Sequence, residues 1–413
     1  MNLQTTKCAP PLRVMMINPL IPASQLTITK ILSGSVFGQT QYIDLILLVY
    51  ANEIDQAQEL GQAYTACAFS CLNSVRITSD IPCLIDADVF CFMTHFANPN
   101  SFDFANMDST DQFDNLYLII KIATSFAKPL PVIKEPTDGP KKKPREPSNK
   151  PRKPIIVADG LLVIDILMII ANNIPHEIMF FATPLRSIAK MTLSDILKVK
   201  CSELNIAYVW AANDIVFHSE IGVPYLKDDI VNTRSSKDWD AVSPEMLEHL
   251  NLEHIQFNAS FMKTEFIDKM VQSSLANPYG CMFKSAEMAK TLHVIWKPRC
   301  NEHATDSKIS LGVISDGSLG TIRGLPYVLP LIITEHSWSV DQIYEETSHL
   351  RHEIKRINTA ARENHQKLVP YCKKFLQENV ILQAFIPTTP GSETGSSYSS
   401  VGGTRSTAQS EDD

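Results

Sequence analysis

Two predominantly apolar runs close together near the N-terminus constrain this chain more than any other feature. Leu12 to Ile17 forms the first and Ile43 to Val49 the second. Between them lie a turn-prone segment, Asn18-Pro19-Leu20-Ile21-Pro22-Ala23, a helix-like stretch from Ser24 to Leu32, and a break at Gly34-Ser35-Val36-Phe37-Gly38. Strand, turn, helix and strand in that order open a parallel α/β sheet. Continuous rather than alternating hydrophobicity suits strands covered on both faces. Such sheets place a phosphate-binding loop at the first turn. Here that turn contains no glycine.

The pattern continues down the chain. A helix is expected from about Glu53 to Leu72, a short strand at Val75-Arg76-Ile77 and a buried strand over Asp88 to Met93. Thr94 to Asp111 is polar and reads as a loop at a strand's carboxyl edge, a usual place for an active-site lid. Helix from about Asp111 to Phe126, strand at Pro154 to Ala158, and helix from Leu161 to Ile170 follow, then a helix from about Arg186 to Cys201. Tyr208-Val209-Trp210 reads as a strand that leads into a second, α+β region. There, Phe261 to Leu275 and Ser285 to Trp296 are expected to be helical, and Lys297 to Lys308 a hairpin-type connection. Ser310 to Gly317 and Tyr327 to Ile333 are expected to pair as antiparallel strands. Ser339 is placed to cap a last helix running to Leu376, with Ile343, Leu350, Ile354, Ile357 and Ala361 as its apolar stripe.

Composition sets the limits. With 413 residues and 44% hydrophobic content, the chain can bury one large core or two medium ones. Its 37 Lys plus Arg against 45 Asp plus Glu, a formal charge of −8, argue against nucleic acid as the main partner. Nine scattered cysteines and the lack of a signal-peptide pattern point to a reducing, cytoplasmic setting. No apolar run is long enough for a membrane span. Leu161 to Ile174 is interrupted by Asp165. Residues 1–11 read as a loose leader and 388–413 as a disordered Gly/Ser/Thr-rich tail. The stretch 134–153 carries five prolines and Lys141-Lys142-Lys143. It reads as a disordered insertion, or as a basic peptide that docks on an acidic surface.

Several pieces together resemble the cytosolic type of malate dehydrogenase, and within it a divergent paralogous branch. They are Gly34-Ser35-Val36-Phe37-Gly38 before an apolar strand, Val209-Trp210-Ala211, Val294-Ile295-Trp296, and most of all Ser310-Leu311-Gly312-Val313-Ile314-Ser315-Asp316-Gly317. The resemblance implies a doubly wound, mostly parallel, Rossmann-like sheet over 12–210 and an α+β dehydrogenase C-terminal domain over 211–387. It also implies an NAD-dependent 2-hydroxy-acid dehydrogenase, usually dimeric.

The functional positions of that family fall on unsuitable residues. The glycines of its nucleotide loop fall on Asn18 and Ile21, and its ribose-binding acid on Val49. The catalytic His falls on Asn213, the Asp that orients it on Leu185, and a substrate Arg on Ile188. The mobile arginine pair falls near Asn98 and Pro99. Asn has no titrating nitrogen, and Pro19 and Pro22 offer no amide. The expectation is therefore a catalytically degenerate, malate dehydrogenase-like protein without a cofactor or metal, acting through contacts with itself or an unknown protein. The alternative is an active NAD-dependent oxidoreductase interconverting malate and oxaloacetate or a related 2-hydroxy acid. Substitute clusters can be drawn from Asp214, His218 and Glu220, from His95, or from Cys67 and Cys71. Surface polarity and core packing explain these residues more simply.

Overall fold

A computed structural model describes residues 10–106, 110–128, 153–222, 225–227, 247–248, 250–253, 256–257, 260–276, 279–300, 307–335, 337–343 and 348–382. The leader up to residue 9, the insertion expected at 134–153 except for its last residue, and the tail at 388–413 lie outside the described residues.

The first half alternates strand and helix: β1 (Leu12–Ile17), α1 (Pro22–Leu32), β2 (Ile43–Leu48), α2 (Ile54–Ala66), β3 (Leu72–Thr78), β4 (Val89–Phe92), α3 (Thr110–Phe126), β5 (Ile155–Ala158), α4 (Leu161–Ile170), β6 (Met179–Phe181) and α5 (Leu185–Leu197). Then come β7 (Ala207–Ala211), β8 (Phe217–Ile221), α6 (Glu265–Leu275), α7 (Cys281–Cys300), β9 (Ser307–Ile314), β10 (Pro326–Ile333), β11 (Trp338–Val340) and α8 (Ser348–Phe375). The strands lie in the order β3-β2-β1-β4-β5-β6-β9-β10-β7-β8, with β11 beside β10. β1 to β6 pair in parallel, and the rest join antiparallel. The doubly wound, mostly parallel sheet expected from the apolar runs is present. So is the antiparallel pair of β9 and β10.

The apolar runs are continuous because both faces of the sheet are covered. Leu12, Val14 and Met16 of β1 enter the core that holds Ile28 and Ile31 of α1 and Leu292 of α7. Met15 and Ile17 enter the opposite core with Leu116 of α3 and Ile164 of α4. β4 divides in the same way, Phe90 and Phe92 to one side and Val89 and Cys91 to the other.

The parallel and antiparallel halves meet along a narrow seam. Phe180 pairs with Val313, and Phe181 with Gly312. A Cβ at Gly312 would lie 2.2 Å from the Phe181 ring. Only glycine lets the ring lie across β9 here, which accounts for the glycine inside an otherwise apolar strand.

Two expectations are corrected at the C-terminal end. Ser339 does not cap a helix; it lies in β11 opposite Ile332. Among the described residues the helix runs from Ser348. Its stripe serves two cores: Leu350, Ile354, Ile357 and Ala361 pack with α1 and α7, while Leu368, Cys372 and Phe375 pack with α3 and α4. Likewise α7 continues to Cys300, into the start of the stretch 297–308 expected to form a connection. Asp165, which interrupts the apolar helix α4, is 1% exposed and receives His365 Nδ1 of α8 at 2.6 Å. Among the described residues, no helix is long and apolar enough to cross a membrane.

Gly312→Ala is expected to lower stability by at least about 2 kcal/mol, the scale of a core overpacked without room to relax. Urea denaturation followed by circular dichroism measures it, and an unchanged midpoint would contradict this account of the seam. The Asp165 hydrogen bond raises the His365 pKa above its usual 6.5, against the opposing effect of burial. A raised histidine pKa stabilises the fold below the unfolded value, and that stability is lost as pH rises through the folded value. The urea midpoint should therefore fall as pH rises above about 6.5, and His365→Gln should flatten that slope.

Candidate functional site

The order of the parallel strands reverses between β1 and β4, so the crevice of the fold opens where β1 and β4 end. After β1 the chain turns through Asn18, which has a φ of 55°. This left-handed conformation is usually reserved for glycine, and asparagine is among the few other residues that adopt it readily. Ser24 Oγ donates to the Asn18 carbonyl at 2.7 Å, and Asn18 Nδ2 donates to the Met93 carbonyl beyond β4 at 2.8 Å. The turn is thereby fastened to both neighbouring elements. Ile21 occupies the cap position of α1 in an extended conformation without a side-chain cap, and Pro22 is the first helical residue. A proline there costs no helical hydrogen bond, and the next amides, those of Ala23 and Ser24, have no acceptor within the helix.

Val49, after β2, is buried. The carboxylate that this edge offers is Glu53, which accepts the Tyr50 amide at 3.1 Å. Tyr50 in turn donates its hydroxyl to the Asp114 carbonyl at 2.7 Å, and burial pushes its pKa up.

A buried polar network follows β4 and β5. Asp159 Oδ2 accepts the Thr94 amide at 2.8 Å and the Thr94 hydroxyl at 2.9 Å. Lys284 of α7 stands 3.7 Å from the same oxygen and donates to the carbonyls of Thr94 and Phe96 at 3.2 and 3.1 Å. Burial raises the Asp159 pKa, while Lys284 and the Thr94 hydrogen bonds oppose that rise. Beside this pair, Asp214 Oδ2 accepts Asn98 Nδ2 at 2.8 Å and the Tyr279 hydroxyl at 2.6 Å. Asn100 Nδ2 donates to the Tyr279 oxygen at 2.9 Å. Burial first, and then Asp214, pushes the Tyr279 pKa up, so it is a neutral donor at physiological pH. Asp159 Oδ1 and Asp214 Oδ1 are buried with no hydrogen-bond partner among the described residues.

The loop expected to act as a lid is tied down at residues 98–100. Asn100 Oδ1 accepts the Leu161 amide at 2.9 Å, and the Pro99 carbonyl accepts the Leu162 amide at 3.0 Å, together capping α4. Gly160 permits this approach, since a Cβ there would lie 2.4 Å from the Pro99 oxygen.

The positions inferred from the resemblance occupy structural roles. Asn213 accepts the amides of Ile215 and Val216 at 2.9 and 2.7 Å, closing the turn between β7 and β8. Leu185 and Ile188 are buried on α5. Of the substitute clusters, His218 and Glu220 do meet, Nε2 to Oε1 at 2.9 Å, but Asp214 turns away from them to Asn98 and Tyr279. His95 is exposed, as is Cys67, while Cys71 is buried. No group of three or more metal-ligating side chains occurs among the described residues. Sequence reasoning missed Asp159, Tyr279 and Lys284. The one available signal was a carboxylate directly after the buried strand Ile155–Ala158, which reads as a plain Asp-Gly turn until Lys284 is brought beside it.

Lys284→Met should leave Asp159 as a buried charge without its cation, destabilising the protein by about 3–5 kcal/mol. Adding Asp159→Asn should restore most of the loss. Urea denaturation of both single variants and the double variant measures the coupling, and strict additivity would show that the two groups do not interact.

No family profile and no curated protein matches the chain. Solved structures do. Malate dehydrogenase from Naegleria fowleri superposes with a TM-score of 0.63 at 14% identity, covering 89% of this chain and 100% of that one. Trichomonas vaginalis lactate dehydrogenase in complex with NADH and oxamate gives 0.62 at 12%, covering 89% and 99%. Plasmodium falciparum malate dehydrogenase in complex with NADH gives 0.53 at 11%, covering 88% and 99%. The likeness extends to malate and lactate dehydrogenases alike and singles out no cytosolic-type branch. It corrects the expectation that the chain takes no cofactor, because the sheet is that of dehydrogenases solved with NADH. The lack of glycine does not bar such a turn: Asn18 takes the left-handed conformation, and the first amides of α1 have no acceptor within the helix. At these identities the likeness is one of fold: the chain has the architecture of the malate and lactate dehydrogenases.

Proposed function

We propose that this protein is a malate/lactate dehydrogenase-like oxidoreductase that binds a nicotinamide nucleotide where β1, β2 and β4 end. The observation that carries this reading is the switch point between β1 and β4, with left-handed Asn18 leading into the open first turn of α1. The Ala23 and Ser24 amides fit a pyrophosphate, since a helix N-terminus favours an anion. Glu53 is the acceptor that the end of β2 presents for ribose hydroxyls.

The bound nucleotide supplies hydride chemistry to a 2-hydroxy or 2-oxo acid. The chain itself must then hold and move one proton. Asn213 cannot do this, having no titrating nitrogen. Asp159 is the candidate: burial raises its pKa towards the range of a proton carrier, and Lys284 stabilises its carboxylate form. Tyr279 and Asn98 fix Asp214 beside it.

The second reading is a catalytically degenerate protein of the cytosolic malate dehydrogenase type, acting as a homodimer or with another protein. Its support is that Asn213 Oδ1 is taken up by two turn amides while Leu185 and Ile188 belong to the core.

Fluorescence titration with NADH should give a dissociation constant of about 100 μM or tighter. Absence of binding at millimolar NADH would overturn the nucleotide site. With malate, lactate or their oxo acids, Asp159→Asn should lower turnover by about 10²- to 10⁴-fold. Binding without turnover would instead favour the degenerate reading.

A further inference from the structure

The described residues enclose a cavity of about 270 Å³ between the turn that follows β9 and the first turns of α8, lined by Leu319, Gly320, Leu350, Arg351 and Ile354. Its floor belongs to the core: Leu350 and Ile354 are 2% and 4% exposed. Its rim is open, since Gly320 and Arg351 are exposed and a Cβ on Gly320 would meet nothing within 4 Å. The volume lies just under the roughly 300–1,000 Å³ usual for pockets that hold small organic ligands.

One wall is held in a costly conformation. Leu319 has a φ of 57° and a ψ of 16°, the left-handed region that burdens any residue with a Cβ. The turn around it imposes this. Ser315 Oγ and Thr321 Oγ1 lie 2.6 Å apart, and Thr321 Oγ1 donates to the Ser318 carbonyl at 2.6 Å. The Gly317 amide donates to Ser315 Oγ and the Ser318 amide to Asp316 Oδ1, both at 2.9 Å. Asn358, one turn beyond Ile354 on α8, donates to the Gly320 carbonyl at 2.9 Å and accepts the Tyr327 hydroxyl at 2.9 Å. Strain of this kind persists where the surrounding structure over-determines it, and it gathers at ligand sites. Arg351 is the one charged residue that lines the cavity, and it makes no hydrogen bond or ion pair among the described residues. Arg356, further along α8, is by contrast engaged, with Glu353 at 2.8 Å and with the Phe217 carbonyl at 2.6 Å.

We propose that this cavity binds a short aliphatic monocarboxylate, its hydrocarbon chain against Leu319, Leu350 and Ile354 and its carboxylate on Arg351. Apolar walls favour methylenes taken out of water, and the planar guanidinium suits both oxygens of one carboxylate. A phosphate monoester, with close to two negative charges, would find a single cation. The site is remote from the crevice. Tyr371 of α8 packs on Phe102 in the loop after β4, ring centroids 5.0 Å apart. Ile354 lies roughly 25 Å back along the same helix at about 1.5 Å per residue.

The test is calorimetric titration of the full chain with hexanoate at neutral pH and low salt. A dissociation constant of about 1 mM or tighter is expected. Affinity should rise by about fourfold per methylene from butanoate to hexanoate. Hexanamide, of the same shape without the charge, should bind about tenfold more weakly, and so should hexanoate to Arg351→Gln, which alters only an exposed side chain. Leu319→Asn keeps a residue that accepts the left-handed turn, so it should retain the wild-type circular dichroism while weakening hexanoate severalfold. Binding should persist in saturating NADH. Four results would overturn the proposal. The first is no heat of binding at about 10 mM hexanoate, including the case in which the wild type sediments as a dimer and Leu319→Asn as a monomer, which would give the cavity to a second copy of the chain. The others are hexanamide binding as tightly as hexanoate, affinity unchanged in both variants, and loss of binding when NADH is present, which would place the acid in the crevice.

Discussion

The fold depends on one contact that a single methyl group would abolish. β6 is only three residues long, and its pairing with β9 is all that joins the parallel half of the sheet to the antiparallel half. At that join the Phe181 ring lies where a Cβ of residue 312 would be. The ring fills the core on one face, and the glycine keeps the β9 backbone close enough to complete the ladder. The junction sets where β9 and β10 lie, while α7 and α8 are also held by packing against α1 and α4.

Buried charge sets the character of the crevice. A carboxylate as deeply buried as Asp159 is tolerated only with compensation, and two hydrogen bonds from Thr94 and one ammonium provide it. That ammonium is itself occupied by two carbonyls, so Lys284 holds the loop after β4 as well as the charge. Asp214 is held by Asn98 and Tyr279 on the same loop-to-helix boundary. The loop after β4 is therefore a fixed wall of the crevice at residues 98–100, in contrast to the mobile closure that its polar composition suggested.

The layers of the fold were legible because continuous apolar runs have one physical cause, coverage on both faces. Leu12–Ile17, Ile43–Leu48 and Ile155–Ala158 all obey it. The last helix was misplaced at its start because Ile343 happens to continue the period of Leu350, Ile354 and Ile357, although a short strand pairing claims Trp338–Val340. The first turn was read for glycine alone, whereas its positive φ is also open to asparagine, as Asn18 shows. Asp159 and Lys284 could not be connected from sequence at all. Their meeting depends on how α7 crosses the sheet, and no local pattern encodes that.

Helix α7 unites these features. Lys284, Glu287 and Lys290 follow one another at intervals of three along it, forming a single ridge. The first of them reaches Asp159 and the loop after β4, and the next two reach Ser187 on α5. The apolar side of the same helix, through Met288, Leu292 and Ile295, packs into the core shared with α1, whose N-terminus faces the switch point. Rigid attachment to α1, to the crevice and to α5 means that the spacing of all three is set by one element.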